Sequence, residues 1–176
     1  LHDRSPRGPG PFVAINAASI APERMESELF GEEGPDGRPR KIGVFEQAHQ
    51  GTLLLDEVGD MPVETQSKIL RVLVDQRFRR LGGSADVQVN VRVVSSTSRD
   101  LRLDIERTRF REDLFHRLNV VPLRVPNLSE RREDIPELAD YFVRRITEGT
   151  GLPARLLAAD ALAALQAAEW PGNVRQ

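Results

Sequence analysis

Two adjacent carboxylates, Asp56 and Glu57, follow an uninterrupted apolar run that starts after Thr52. Carboxylates at the carboxyl end of a buried parallel strand lie where open α/β sheets bind their ligands. In phosphoryl transfer, one such carboxylate can hold Mg²⁺ through its water shell while the second polarises the attacking water. The same pattern also describes a strand that ends in solvated acids, and the pattern alone leaves both interpretations open.

Two arginines form a second candidate group. Arg111 and Arg117 lie six residues apart in a segment with helical apolar spacing. Arginines in such positions can reach a phosphate across a subunit boundary. The alternative is a pair of surface arginines bonded to Glu112 and Asp113, each pair contributing about 0–1 kcal/mol. Composition alone favours this alternative.

A third group lies at the end of the chain, where Pro171 and Gly172 predict a turn and Asn173 predicts a helix N-cap. This places Arg175 in the first turn of a helix, where the helix dipole makes a cation mildly unfavourable. The position indicates that Arg175 interacts with an anion outside its own helix.

An alternating α/β fold would position these groups. Helices are predicted between successive strands, at residues 21–30, 43–50, 63–76 and 101–118. The strands are predicted at residues 11–16, 52–56, 91–97 and 120–125. This alternation indicates right-handed crossovers and a mostly parallel sheet with helices on both faces. A hairpin is expected around Gly82 and Gly83, whereas residues 31–41, rich in Gly, Pro and charge, are predicted to form an exposed loop without helix or strand.

The pattern becomes purely helical after residue 126, with helices predicted at 135–147 and 158–168 and a break at 149–153 between them. We therefore expect an α/β core over residues 1–125 and a helical lid over residues 126–176, with the lid incomplete at its C-terminus.

Composition excludes several classes of protein. The chain has 176 residues, with 25 Lys and Arg against 27 Asp and Glu, which argues against binding nucleic acid by bulk charge. It has no apolar run of about 18 residues and no signal peptide, which predicts a cytoplasmic protein without a membrane partner. The absence of cysteine excludes disulfides and thiolate zinc sites, and the three histidines lack ligand spacing.

Several strings occur together in an order that resembles the AAA+ domain of bacterial enhancer-binding proteins, the sigma-54-dependent transcriptional activators. They are Phe12-Val-Ala-Ile-Asn16, Glu26-Ser-Glu-Leu-Phe-Gly31, Phe45-Glu-Gln-Ala48, Gly51-Thr-Leu-Leu-Leu-Asp-Glu57, Phe110-Arg111 and Trp170-Pro-Gly-Asn-Val-Arg175. The resemblance covers nearly the whole chain. It implies a P-loop-type parallel sheet core, truncated at its N-terminus, followed by a small helical lid, and it implies ATP and Mg²⁺ as cofactors.

The resemblance also implies a role for each matching residue. Asp56, for Mg²⁺ bound through water, and Glu57, for the hydrolytic water, correspond to the Walker B pair. Asn16 corresponds to the asparagine that holds the catalytic glutamate in an inactive pose until the γ-phosphate is sensed. Arg111 and Arg117 correspond to two arginine fingers supplied to a neighbouring subunit's nucleotide. The remaining nucleotide-sensing positions are Thr97 and Ser98 at sensor I, Val174 beside the nucleotide, and Arg175 at sensor II.

The chain departs from this family pattern in its phosphate-binding loop. It contains no Gly-x-x-x-x-Gly-Lys-Ser/Thr motif. The resemblance places that loop upstream of Leu1, so the fragment alone is expected to bind ATP poorly.

A second departure lies in the loop that the family uses to contact its partner. Typical members carry Gly-Ala-Phe-Thr-Gly-Ala at the tip that touches sigma-54. The tip here is shorter and charged, and it resembles that of nitrogen-regulation response regulators of the NtrX group. We therefore hypothesise that this domain does not remodel the sigma-54 holoenzyme in the usual way. The predicted partner-loop residues are Glu32, Glu33, Gly34, Pro35, Asp36, Gly37, Arg38, Pro39, Arg40 and Lys41.

The resemblance favours an ATP-binding, ring-forming regulatory domain of a two-component transcription factor, with a hexamer as the expected ring. RNA polymerase or a sigma factor would be its partner, and DNA would be bound only through a domain outside this chain. The alternative is a degenerate AAA+ domain that serves as an oligomerisation scaffold. A third class is a sigma-54 activator that uses another loop. Intact Asp56 and Glu57 favour hydrolysis, whereas Ser98, shorter than the usual Asn or His, favours a weakened motor.

Overall fold

The computed structural model describes residues 1–151, 153 and 156–176. These residues divide into two compact units, Leu1–Pro122 and Leu123–Gln176. The first unit contains β1 (Phe12–Asn16), α1 (Pro22–Phe30), β2 (Glu32–Glu33), β3 (Pro39–Lys41), α2 (Val44–Gln47), β4 (Thr52–Asp56), α3 (Val63–Asp75), β5 (Arg77–Arg79), β6 (Asp86–Gln88), β7 (Arg92–Ser95), α4 (Leu101–Glu106) and α5 (Glu112–Leu118).

A three-stranded parallel sheet forms the centre of the first unit, in the order β1-β4-β7. In β4, Thr52, Leu53 and Leu55 are buried, as expected for an apolar strand covered on both faces. Asn16 is the register partner of Asp56, and Leu55 is the partner of Ser95. Because the strands are parallel, their carboxyl ends meet at one edge of the sheet. The predicted parallel α/β core is confirmed.

The core around this sheet is built from helices and an aromatic cluster. The rings of Phe30, Phe45 and Phe78 pack with centroids 5.6 to 6.1 Å apart. On α3 and α5, Ile69 and Leu114 are each 1% exposed. Fully burying a side chain of this size contributes about 1.5–3 kcal/mol, so the helices hold the strands firmly in register.

The predicted loop at 31–41 instead forms an antiparallel hairpin of β2 and β3. Its composition disfavours strands, but tertiary contacts override that preference. Gly31 has a φ of 75°, and a side chain there would collide with the backbone of Lys41. The Lys41 ammonium lies 2.8 Å from Glu28 on α1, which anchors β3. Within this hairpin, the exposed residues are those of the tip, 35–40.

The predicted strand at 120–125 is absent. Val120, Val121, Leu123 and Val125 are 70% to 81% exposed, and within the described ranges no strand pairs with this segment. An apolar run becomes a strand only where a neighbour satisfies its backbone groups, and no residue that the structure describes does so here. The segment 101–118 is helical as predicted, but it forms two helices, α4 and α5.

The second unit is helical, with α6 at Ile135–Thr150 and α7 at Ala159–Ala167. Helix α6 continues into the predicted break at 149–153, of which Leu152 lies outside the described residues. Arg132 donates to the carbonyl oxygens of Gln166 and Ala167 at 2.9 and 3.2 Å, which satisfies the C-terminus of α7.

The predicted helix N-cap at Asn173 is wrong. Asn173 has a left-handed φ of 53° and lies in a short 3-10 turn, Asn173–Arg175. Its Oδ1 accepts a hydrogen bond of 2.8 Å from the backbone N–H of Leu128, so it caps a different turn. None of the helices in the described part of the chain is long and apolar enough to cross a membrane.

Candidate functional site

Asp56, at the carboxyl end of β4, is held from both neighbouring strands. Asn16 Nδ2, at the end of β1, donates to Asp56 Oδ2 over 2.8 Å. The hydroxyl of Ser96, directly after β7, donates to Asp56 Oδ1 over 2.5 Å. Both donors are neutral, so they orient the carboxylate without cancelling its charge, and each oxygen keeps lone pairs for a further partner.

Glu57 has a different set of partners. Its backbone is left-handed, with φ 54° and ψ 51°, a conformation that costs a residue with a side chain about 1–3 kcal/mol. Its Oε2 accepts hydrogen bonds from the backbone N–H and the hydroxyl of Ser98, each 3.0 Å long. The predicted sensor residue Ser98, although short, therefore reaches the predicted catalytic carboxylate directly.

The structure shows Asn16 bonded to Asp56 and not to Glu57, the carboxylate that the resemblance implied. Asn16 donates to Asp56, and its Oδ1 accepts from the N–H of Ala18 at 2.9 Å, which caps the turn after β1. The reason is register: Asn16 lies opposite Asp56 in the parallel ladder, and Glu57 is bonded to Ser98. A role for Asn16 in nucleotide sensing stays a prediction.

Arg99 braces the turn after Glu57, a role that the sequence did not suggest. Its Nη1 donates to Gly59 O at 3.0 Å and to Asp60 Oδ1 at 2.9 Å. Its Nη2 donates to Oδ1 of buried Asp104 on α4 at 2.9 Å. Hydrogen bonding to Asp60 and Asp104 raises the pKa of Arg99, so it stays charged. Thr97, the other sensor I residue, accepts from the Arg99 N–H at 3.1 Å and turns the chain towards this position.

Arg111 is engaged on its own subunit. Its Nε and Nη2 donate to the two carboxylate oxygens of Asp113 at 3.0 and 2.7 Å, and Nη1 donates to Ser67 on α3 at 3.1 Å. The bonded Asp113 raises the pKa of Arg111, and Arg111 in turn lowers the pKa of Asp113. The alternative that Arg111 pairs with Asp113 therefore describes this structure.

Gln66 places the backbone of Arg111, a role that the sequence pattern did not predict. This side chain on α3 is fully buried, and its Oε1 accepts from the Arg111 N–H at 2.9 Å. Its Nε2 donates to Met61 O at 2.8 Å and to Arg109 O at 3.0 Å. An amide on the apolar face of a helix was the available signal, because a buried polar group needs partners.

Arg117 makes its contact elsewhere in the first unit, and the predicted lid residues belong to the second unit. Arg117 Nη2 donates to Leu73 O, near the C-terminus of α3, at 2.9 Å. Val174 and Arg175 lie exposed in the 3-10 turn of the second unit. The structure thus brings Asn16, Asp56, Glu57 and Ser98 together, whereas both arginines on the segment that includes α5 bond to neighbouring groups of α3 and α5.

The base of the predicted partner loop is tied to the hairpin of β5 and β6. Arg80, whose side chain is 12% exposed, donates to Glu46 at 2.9 Å and to Glu33 at 3.4 Å. Hydrogen bonding to Glu46 raises the pKa of Arg80. The Glu33 N–H donates to Leu81 O at 2.9 Å, so backbone and side chains both join the two hairpins.

The residues fit a magnesium ion that is shared with a nucleotide. In the residues that the structure describes, no group of three or more His, Asp or Glu could hold a metal by itself. Mg²⁺ is usually bound through one or two carboxylates, several waters and substrate phosphates. Asp56, oriented by Asn16 and Ser96 at a partly exposed strand end, is the donor that such a site needs.

Comparison with known proteins identifies the families and relatives that the chain resembles. It matches the Sigma-54 interaction domain family over residues 1–124 and the AAA+ ATPase lid domain family over residues 129–176. It is 58% identical over 176 residues to the nitrogen assimilation regulatory protein NtrX of Azorhizobium caulinodans, covering 100% of this chain and 39% of that protein. It is 49% identical over 179 residues to the transcriptional regulator NtrC of Escherichia coli K12, covering 100% of this chain and 38% of that protein.

A crystal structure of NtrX from Brucella abortus in complex with ATP is similar in fold. It gives a TM-score of 0.92 at 56% identity, over 99% of this chain and 38% of that one. The chain spans about two fifths of the length of the curated relatives described above. It belongs to the sigma-54 interaction domain family and carries a C-terminal AAA+ lid, as its motifs predicted.

Proposed function

We propose that this chain is the ATP-binding, ring-forming AAA+ domain of a two-component transcriptional regulator of the NtrX/NtrC type, within a longer protein that hydrolyses ATP. The observation that carries the proposal is the placement of two carboxylates, Asp56 and Glu57, on separate neutral anchors at the carboxyl edge of the sheet. The ATP complex of the Brucella abortus relative supports it.

In this proposal the two carboxylates divide the work. Asp56 accepts hydrogen bonds from the water shell of Mg²⁺ with the lone pairs that Asn16 and Ser96 leave free. Glu57 orients the attacking water through Oε1, since Ser98 bonds only Oε2 in the described residues. The bound Mg²⁺ would neutralise charge that develops on the phosphates. Val174 and Arg175 of the lid, with Thr97 of sensor I, are proposed to contact the nucleotide.

Arg111 and Arg117 are proposed to act on the nucleotide of the next subunit in a ring, with a hexamer as the expected form. Arg111 and its partner Asp113 have side chains that are 40% and 48% exposed, and an exposed pair of this kind contributes about 0–1 kcal/mol. A phosphate offers Arg111 charge-assisted hydrogen bonds of the same kind, so a neighbour's nucleotide can replace Asp113 at a low cost in free energy.

The partner of the hairpin tip is proposed to be RNA polymerase or a sigma factor, contacted differently from the usual sigma-54 interaction. The exposed tip carries Asp36, Arg38 and Arg40 and no large apolar side chain. DNA would be bound by a domain outside this chain. ATP-dependent binding to sigma-54 that is lost on changing residues 32–42 would contradict the proposed difference.

A scaffold without hydrolysis is the second candidate, because Ser98 occupies Glu57 with two hydrogen bonds. ATP turnover per subunit, measured against protein concentration, separates the two. The measurement uses a longer form of the protein that includes the expected phosphate-binding loop. We expect turnover to rise with concentration, to vanish in Glu57→Gln, and to persist in the matched control Glu106→Gln, at an exposed position on α4. ATP binding without turnover would instead establish the scaffold.

A further inference from the structure

Two serines that follow β7 each hold one of the two carboxylates. Ser96 donates to Asp56, and Ser98 donates to Glu57. We propose that Ser96 is a positioning residue that sets the orientation in which Asp56 receives the water shell of Mg²⁺. This inference rests on the proposed nucleotide-dependent function. It adds that Ser96 affects the Mg²⁺ requirement for nucleotide binding and leaves Mg²⁺-independent binding unchanged.

The backbone of Ser96 is fixed on both sides of Asp56. The Ser96 N–H donates to Leu55 O at 3.0 Å, and the Ser96 carbonyl accepts from the Val58 N–H at 3.0 Å. Leu55 and Val58 lie on either side of Asp56 in the sequence, so these bonds hold the Ser96 Cβ near Asp56 with little freedom to move. A hydroxyl at this position needs only one rotation to reach Oδ1, and it makes a bond of 2.5 Å there.

Two donors determine the plane of the Asp56 carboxylate, and one donor does not. The terminal torsion of an aspartate is broad and roughly two-fold, so a carboxylate held only through Oδ2 can turn about its own axis. Asn16 supplies the bond to Oδ2, and Ser96 supplies the bond to Oδ1. Without the hydroxyl, the oxygens that face the metal's waters are no longer fixed.

The expected change in Mg²⁺ affinity is taken from the known effect of hydrogen-bonding partners on metal ligands in general. Removing a hydrogen-bonding partner of a metal ligand typically lowers metal affinity 10–100-fold. Asp56 is proposed to act through water, so we expect the lower end, about a tenfold increase in the Mg²⁺ concentration needed for half-saturation. Ser98, which bonds Glu57, is expected to affect turnover and to leave this Mg²⁺ requirement unchanged.

The experiment measures binding of a fluorescent ATP analogue to a longer form of the protein that includes the expected phosphate-binding loop. Binding is titrated with Mg²⁺ and, separately, in excess EDTA. The informative pair is Ser96→Thr and Ser96→Val, because these side chains have nearly the same volume and differ in the hydroxyl. Ser95→Ala is the matched control, since the Ser95 side chain makes no hydrogen bond with any described residue.

We expect Ser96→Val to raise the half-saturating Mg²⁺ about tenfold, with unchanged nucleotide affinity in EDTA, and Ser96→Thr to behave as the parent. Equal Mg²⁺ titrations for Val and Thr would overturn the inference and leave the proposed function standing. An equal loss in Mg²⁺ and in EDTA would also overturn it, because that result describes a structural role. Absence of any Mg²⁺-dependent binding in the unsubstituted protein would refute the proposed function and this inference together.

Discussion

Replacing Gln66 by leucine tests how the chain places Arg111. Gln66 is fully buried, and its amide bonds three backbone groups, at Met61, Arg109 and Arg111. Leucine fills most of the same volume, so the substitution removes the three hydrogen bonds and creates little cavity. It therefore isolates the polar contribution of one side chain.

The expected loss of stability follows from the surroundings of each bond. The bond to Met61 O is buried, and leaving that carbonyl unpaired costs about 1–3 kcal/mol. The bonds to Arg109 and Arg111 are partly buried, and each contributes about 0.5–1.5 kcal/mol net because water can replace it in part. The sum predicts that the free energy of unfolding falls by about 2–6 kcal/mol.

Urea unfolding followed by circular dichroism measures this loss, and hydrogen exchange at the Arg111 amide reports the local effect. The matched control is Gln88→Leu, an exposed glutamine on β6, for which we expect a change within about 0.5 kcal/mol. If Gln66→Leu unfolds at the same urea concentration as the parent and keeps Arg111 protected, the three bonds do not hold this segment and the reasoning fails.

Three further predictions concern charged groups. Arg80→Met should lower the free energy of unfolding by about 2–4 kcal/mol, because it leaves two shielded carboxylates unpaired, whereas Arg79→Met, at an exposed pair, should lower it by about 0–1 kcal/mol in the same urea assay. Lys41 lowers the pKa of Glu28 from 4.5, so this pair stabilises the fold above that pH, and its contribution is lost as pH falls through the lowered pKa. The difference in free energy of unfolding between the parent and Lys41→Met should therefore shrink in acid. A difference that stays constant with pH would contradict this prediction. Arg111→Ala should lower ATP turnover by about 10³-fold or more. Activity should return in part when Arg111→Ala subunits are mixed with Glu57→Gln subunits, which keep Arg111. No recovery in the mixture would argue against action of Arg111 between subunits.

The sequence predicts the sheet well because its signal is local. Residues 53–55 are apolar and form the middle of the central strand, and the carboxylates Asp56 and Glu57 that follow lie at the sheet edge. The segment 120–125 is also mostly apolar, although Pro122 and Arg124 interrupt it, and it is not a strand. A strand needs a partner as well as a composition, and a partner is not encoded in the segment itself.

The residue pattern alone predicted the charged members of the candidate site, and the polar members Asn16 and Ser98 were predicted only from the family resemblance. Asp56 and Glu57 are noticeable in the sequence because two charged side chains directly follow a run of apolar residues. Ser96 is chemically ordinary, and only the parallel register identifies it as a partner of Asp56. Gln66 is found only when the fold shows that its amide faces the interior, towards the break between α4 and α5.

The contacts around the site are carried by two segments that meet at the turn after Glu57, and this connection has a mechanistic consequence. The residues after β7 hold one carboxylate through Ser96, the other through Ser98, and the turn that follows them through Arg99. Arg111 is placed by Gln66 on α3, whose described bonds include none to the segment after β7. Gln66 also donates to Met61 O, in the turn that Arg99 holds through Gly59 and Asp60. A displacement after β7 would therefore move both carboxylates together and reach Arg111 through this turn. Defects from Ser98→Ala and Gln66→Leu should then deviate from additivity in the free energy of activation, as expected for residues connected through a shared contact, and strict additivity would contradict the connection.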